Sequence, residues 1–305
     1  MSKALLYQIV VIAPIELRIK LRSFRIALFK AMISTDIAAP TANSVVAIGL
    51  ASGKLRWARQ LMRNDNWVVN CGRPGVSYCP PGQACIAPGV ANCPTEVGPD
   101  ADFGTSPILR TLPDGRQRLL IGQKSGLVHA LDPGRDGAPV WVTRAGPGST
   151  LGGVEWGIAA DDTTVYAPIS NPYGLGDRAP GGITAVDIAT GHVRWSAPPM
   201  RATCSFGVRG CNGAQSQAPT LIPGAVFSGA QDGHLRAYAA DGGRVSWDFD
   251  TAREFHSVNG MPAIGGSLDH GGPVVVDGVL YVLSGYGRIN GQPGNLLLAL
   301  SVDGK

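Results

Sequence analysis

Three ionisable residues lie in glycine-rich strings, where a side chain can approach a ligand closely. Glu155 precedes Trp156 in GGVEWG, and Asp269 precedes His270 in GGSLDHGGP. A carboxylate can take a proton from a hydroxyl, and a histidine can pass it on. We therefore predict Asp269 as a general base and His270 as a proton shuttle. The alternatives are a solvated glutamate, an aspartate that caps its own turn and a histidine that faces solvent.

Other polar residues are candidate ligand contacts. Lys124, in QKSG, and Arg253 can supply positive charge to an anionic group. Asn259, just before Gly260, can offer a neutral oxygen to a metal ion. Asp102, beside Phe103, is a weaker acidic candidate. Each also has an ordinary interpretation, as a surface cation or a turn residue.

Known cofactor and metal motifs are absent from the sequence. The glycines of GYGRING, at 285–291, have the wrong spacing for a dinucleotide fingerprint, and no P-loop, HExxH or EF-hand string occurs. Classical nicotinamide chemistry is therefore not expected.

One phrase recurs along the chain and indicates the elements that hold these residues. It reads VVAIGLASGKLRW at 45–57, ITAVDIATGHVRW at 183–195 and LRAYAADGGRVSW at 235–247. A looser copy ends at Trp141, and LLALSVDGK begins another at the end of the sequence. Each copy predicts a strand, a glycine turn and a second strand that ends on tryptophan. We interpret the tryptophans of the phrase as packing residues between neighbouring modules, namely Trp57, Trp141, Trp195 and Trp247.

The spacing of the repeat predicts an all-β fold. Modules of roughly 50 residues suit four-stranded propeller blades. The copies account for about four blades, and we expect residues 41–305 to form part of a larger ring. A cysteine-rich insertion over 62–100 explains the longer first interval.

Residues 1–40 do not continue the repeat. They are basic and apolar, and three interpretations remain open: a poor export signal, an amphipathic surface helix, or a start unrelated to the fold. Their apolar run is shorter than the roughly 20 residues that a membrane-spanning helix needs. We therefore expect no transmembrane span.

The six cysteines favour disulfides. None has the spacing of a zinc knuckle or of a C-x-x-C-H haem attachment site. We predict disulfides in an oxidising compartment, among them a bridge from Cys204 to Cys211. Free thiols in a cytosolic chain are the alternative. Outside residues 1–30 basic and acidic residues nearly balance, which argues against a nucleic-acid partner.

Six strings in order carry a resemblance to a known family. They are DADFGTSPIL, GQKSGLVHALDP, GGVEWG, GAQDGHLRAY, GGSLDHGGPVV and SGYGRINGQPGNLLLALSVDGK. Together they resemble the polyvinyl alcohol dehydrogenase branch of the pyrroloquinoline quinone propellers. The resemblance spans residues 45–305, and the cytochrome c part of that family is absent from the sequence.

The resemblance implies a quinone-dependent oxidoreductase in the periplasm. It would oxidise secondary alcohols such as polyvinyl alcohol and pass electrons to a cytochrome c. Glu155 resembles the glutamate that touches both calcium and quinone in related enzymes, with Asn259 as a second calcium ligand. Trp156, Lys124 and Arg253 would hold the quinone, and Asp269 and His270 would act on the alcohol. Two alternatives stay open: a non-catalytic propeller scaffold, and an inactive fragment of the dehydrogenase.

Overall fold

The computed structural model describes residues 42–72, 79, 82–172, 179–204, 211–287 and 291–302. The predictions for residues 1–40 lie outside these ranges. Across the described residues, no helix is long and apolar enough to cross a membrane.

The described chain is built from short antiparallel strands, as the repeat predicts. A leading hairpin joins β1 (Ser44–Ile48) to β2 (Leu55–Gln60). Blade 1 comprises β3 (Ile108–Thr111), β4 (Gln117–Gly122), β5 (Leu127–Asp132) and β6 (Ala138–Arg144), with a 3-10 turn at Pro133–Arg135. Blade 2 comprises β7 (Ala159–Ala160), β8 (Thr164–Pro168), β9 (Ile183–Asp187) and β10 (Val193–Ala197).

The second half repeats the pattern with one addition. Blade 3 comprises β11 (Thr220–Ile222), β12 (Ala225–Gly229), β13 (His234–Ala239) and β14 (Val245–Asp250). A separate hairpin of β15 (Glu254–His256) and β16 (Pro262–Ile264) follows; its strands are too short for the sequence pattern to predict. Partial blade 4 comprises β17 (Val274–Val276), β18 (Val279–Ser284) and β19 (Leu296–Ser301). The fold is thus the all-β propeller architecture predicted from the repeat.

The core lies between blades rather than within them. One buried cluster joins Val45 of the leading hairpin to Leu119 of blade 1, and another joins Val128 to Val165 of blade 2. Two further clusters join blade 2 to blade 3 and blade 3 to partial blade 4. Each blade therefore depends on its neighbours to bury its faces.

The repeated tryptophan and turn glycine meet across these interfaces. Trp57 packs against Gly137 of blade 1, and Trp141 packs against Gly191 of blade 2. Trp195 packs in the same way against the turn glycine of blade 3, Gly243. The packing role predicted for these three tryptophans is confirmed. The next glycine in the series follows residue 302, outside the described residues.

All six cysteines form disulfides. Cys71 pairs with Cys93 and Cys79 with Cys85, which fixes the connectivity within the insertion. The predicted bridge between Cys204 and Cys211 is confirmed.

Candidate active site

Four equivalent backbone hydrogen bonds show where the glycine-rich strings lie. In each blade, a backbone amide just after the second strand donates to a carbonyl in the stretch before the first strand. The pairs are Lys124 to Asp102, Ser170 to Gly153, Gln231 to Ala214 and Tyr286 to Ser267, at 2.8–3.0 Å. Each acceptor begins a four-residue stretch that leads into the first strand of its blade. We call 102–105, 153–156, 214–217 and 267–270 the lead-in segments. The glycine-rich strings therefore belong to a feature that each blade repeats.

The third and fourth positions of the lead-in segments carry the candidate chemistry. Glu155 and Asp269 share the third position with Ser216, and Trp156 and His270 share the fourth. These positions also come together in space. The rings of Trp156 and His270 are stacked, and the Oγ atoms of Ser170 and Ser216 are 2.7 Å apart.

Glu155 is a buried carboxyl with a perturbed pKa. Its exposed fraction is 6%. Burial raises the pKa of Glu155 to about 7; Lys124 and the Ser170 hydroxyl oppose the shift, while the charge of Asp269 adds to it. Gly152 is required beside it, because a Cβ there would lie 2.6 Å from Glu155 Oε2. Gly152 therefore makes room for a buried acid.

Asp269 is buried in the same way. Burial raises the pKa of Asp269, although the His270 amide donates to its Oδ1 at 2.7 Å. Gln231 Nε2 donates to Oδ2 at 3.2 Å. Asp269 thus caps its own turn, which is the alternative that the sequence allowed. Its side chain is also buried and lies near Glu155. Such a carboxyl can exchange a proton with a bound hydroxyl.

His270 lies between two aromatic rings. Its centroid is 3.9 Å from that of Trp156 and 4.2 Å from that of Tyr286. Tyr286 Oη lies 3.1 Å from His270 Nε2. Nδ1 lies 3.2 Å from Asp269 Oδ1 but is poorly oriented, so it makes no hydrogen bond. The three rings are partly exposed, so the stack lies between the buried acids and solvent.

Lys124 is occupied by two carboxylates. Its Nζ lies 3.0 Å from Asp100 Oδ2 and 3.1 Å from Asp102 Oδ2. Burial works against the charge of Lys124, but the two aspartates outweigh it, so the net shift of its pKa is upward. Burial also raises the pKa of Asp100, because Lys124 compensates it only in part. The positive charge of Lys124 is therefore already balanced by two carboxylates, which makes it a poor partner for an anionic ligand.

Arg253 and Asn259 have other contacts. Arg253 is exposed and lies over the rings of Phe249 and Phe255, 5.4 and 4.5 Å from their centroids. Asn259 is exposed in the β15–β16 turn, where its Oδ1 accepts from Ser257 Oγ at 2.7 Å. These contacts give the predicted ligand roles no support, and we build the candidate site without the two residues.

The residues of the site offer different groups to a quinone and to a metal ion. A flat, partly exposed aromatic surface beside buried acids suits a quinone ring, and the Trp156 Nε1 is a buried donor without a partner. For a metal ion, the described residues contain no group of three His, Cys, Asp or Glu side chains able to hold one. Calcium takes six to eight oxygen ligands. The described residues therefore give a quinone ring an aromatic surface and a free donor, while calcium would need carbonyl, amide or water oxygens beside the carboxylates.

Sequence reasoning missed several residues of the site. Tyr286 and Ser170 reach it because they follow second strands, and Asp100 reaches it through the insertion. Asp65 accepts the amides of Asp100 and Ala101 at 2.8 and 2.7 Å, which fixes the start of the first lead-in segment. The four lead-in segments share no residue type at any position, so their equivalence has no signal in the sequence.

Comparison with known proteins gives the same fold. The PQQ_2 family model, described as outer membrane protein assembly factor BamB, matches residues 124–291. A polyvinylalcohol dehydrogenase of Pseudomonas sp. is 41% identical over 280 residues, which covers 89% of this chain and 41% of that protein. Another from Sphingopyxis sp. is 41% identical over 285 residues, with the same shares covered. The chain thus spans about two fifths of the length of these curated relatives.

Solved structures share the architecture at low identity. A europium-containing methanol dehydrogenase has a TM-score of 0.52 at 16% identity, covering 83% of this chain and 45% of that one. A quinohemoprotein alcohol dehydrogenase from Pseudomonas putida has a TM-score of 0.52 at 16% identity, covering 87% of this chain and 43% of that one. At this identity the likeness concerns the fold alone.

Proposed function

The chain belongs to the PQQ_2 family of β-propellers, and from this premise we propose that it is the site-bearing part of a quinone-dependent alcohol dehydrogenase. Its 41% identity to two polyvinylalcohol dehydrogenases supports a polymeric secondary alcohol as substrate. The observation that carries the proposal is the pair of buried carboxyls, Glu155 and Asp269, at equivalent positions of two blades. Packing alone does not require buried acids with raised pKa values.

Asp269 is proposed as the base that takes the hydroxyl proton of the alcohol. The His270 amide and Gln231 Nε2 hold its two oxygens in place. His270, with its imidazole partly exposed, would carry the proton towards solvent. Glu155, which is as buried as Asp269, would orient the reacting groups.

The cofactor of this proposal is pyrroloquinoline quinone. When bound, it supplies the ortho-quinone that accepts hydride from the alcohol. Trp156 would contact its ring system. If calcium accompanies it, Glu155 is the first ligand to expect, but the donor set is too small to derive a step through the ion.

The compartment and electron acceptor complete the proposal. Three disulfides are typical of an oxidising compartment, which supports the periplasm. A cytochrome c is the proposed acceptor, as the resemblance of the six sequence strings to polyvinyl alcohol dehydrogenases implies.

The test is to titrate the purified chain with pyrroloquinoline quinone and calcium and to follow alcohol-dependent reduction of an artificial dye. Asp269→Asn should retain quinone binding and lose at least about a hundredfold in turnover, since general-base catalysis contributes roughly that much. Asp277→Asn, in the exposed turn between β17 and β18, is the matched control and should turn over like the parent chain.

Other outcomes separate the rival functions. Quinone binding without turnover would favour a fragment that needs the rest of a longer protein. No quinone binding at all would favour a propeller scaffold, as in the assembly factor that gives the family model its description.

A further inference from the structure

The imidazole of His270 is stacked between two aromatic rings of the candidate site. Trp156 and Tyr286 lie on opposite faces of His270, at centroid distances of 3.9 and 4.2 Å and interplanar angles of 24° and 29°. Each distance is the separation of one stacked aromatic pair. The space between the indole and the phenol is therefore one planar ring thick, and the imidazole fills it.

The imidazole is held there by its two ring contacts and by two polar ones. Its Nε2 lies 3.1 Å from Tyr286 Oη, and its Nδ1 lies 3.2 Å from Asp269 Oδ1, where it is poorly oriented for a hydrogen bond. The side chain is 27% exposed, so it has a path to solvent. The backbone of His270 has φ 59°, in the left-handed region that disfavours residues other than glycine. Such outliers concentrate where a conformation serves a site.

The gap also adjoins the acids. Asp269 Oδ1 lies 3.2 Å from His270 Nδ1, and the charge of Asp269 acts on Glu155, so both acids lie near the imidazole that fills the gap. The carboxyls are buried and the rings are partly exposed. A ligand could therefore enter from the solvent side and reach the acids.

We propose that the space between Trp156 and Tyr286 is a slot for a planar, quinone-type ring, and that His270 is a gate that fills the slot until the ligand displaces it. This inference rests on the proposed function and deepens it, because it assigns Tyr286 as the second wall of the site. It also gives His270 a role in binding that is separate from proton transfer.

The gate lowers the apparent affinity of the slot. If a ligand binds only the open state, its apparent affinity is the intrinsic affinity multiplied by the fraction of molecules that are open. Minor states are commonly populated at 0.1–10%, so removing the gate should tighten binding by roughly tenfold or more.

The experiment measures pyrroloquinoline quinone binding by calorimetry in the parent chain, in His270→Ala and in His192→Ala. His192 is an exposed histidine in the β9–β10 turn and serves as the matched control. We expect His270→Ala to bind about tenfold tighter and His192→Ala to bind like the parent chain. Unchanged or weaker binding by His270→Ala would overturn the gate.

Tyr286 provides a second, independent arm. Tyr286→Phe keeps the wall but removes the hydrogen bond that holds the gate closed, so binding should tighten several-fold. Tyr286→Leu removes the aromatic wall, so binding should weaken. If Tyr286→Phe instead weakens binding, the hydroxyl contacts the ligand and the gate model is wrong.

The failure of this inference is distinguishable from that of the proposed function. If the affinity for the quinone is the same in the parent chain and in the His270 and Tyr286 variants, the slot is wrong but the quinone cofactor stands. Quinone binding by none of the variants rejects both the slot and the quinone cofactor. Unfolding curves for each variant identify any loss of binding that reflects loss of fold.

Discussion

Glu155 shows most directly how this fold perturbs a single residue. Its side chain lies among glycines and hydroxyls, and burial raises its pKa to about 7 from 4.5. An acid with a raised folded pKa binds its proton more tightly in the folded state than in the unfolded state. Its ionisation therefore lowers stability progressively as pH rises from about 4.5 through 7.

We expect Glu155→Gln to stabilise the protein more at pH 8 than at pH 5. Glutamine cannot ionise, so the variant escapes the penalty, and the difference between the two pH values should reach up to about 3 kcal/mol. Urea unfolding at both pH values measures it. Glu96→Gln, at an exposed position, is the control and should show no such difference. The same stability change at both pH values for Glu155→Gln would show that the carboxyl is not perturbed.

At the scale of elements, the hairpin that ends each blade is defined by one glycine. Gly191 has φ 78°, and a Cβ there would lie 2.7 Å from Trp141 Cγ. Gly53 of the leading hairpin has φ 63° but nothing within 4 Å of such a Cβ. The two turns therefore share a backbone requirement but differ in packing.

This pair makes a controlled test of the interface between blades. Gly53→Ala should destabilise by about 1 kcal/mol, because only the backbone is strained. Gly191→Ala should destabilise by about 2 to 4 kcal/mol, since Trp141 must also shift. If both variants lose the same free energy of unfolding in urea, the packing of the Trp141 indole does not depend on Gly191.

The cysteine-rich insertion offers a second test at this scale. On the chain-entropy model, the Cys71–Cys93 bridge, with a sequence separation of 22, should stabilise by about 3 kcal/mol. The Cys79–Cys85 bridge, with a separation of 6, should stabilise by about 2 kcal/mol. Paired serine substitutions compared by thermal unfolding should keep this order. The reverse order would show that contacts of the insertion, rather than chain entropy, dominate.

At the scale of the whole molecule, the sequence predicted the architecture well because one periodic phrase encodes each interface. The candidate site was predicted less completely. Glu155 and Asp269 stood out as acids among glycines, whereas Tyr286 had no local signal, since only the propeller brings its strand end to the lead-in segments. Arg253 and Asn259 were attractive by residue type, but the unpredicted β15–β16 hairpin gives them other contacts.

The third position of the lead-in segments differs in residue type from blade to blade, while the frame that holds it stays the same. Ser216 occupies the position that holds acids in the blades on either side, so one substitution there would change the charge of the candidate site without altering a tryptophan interface. Gly104, at the same position of blade 1, has no such freedom, because a Cβ would lie 2.4 Å from Glu155 O. Divergence of specificity in such a ring can therefore proceed one blade at a time, through a handful of point changes in an otherwise constant frame.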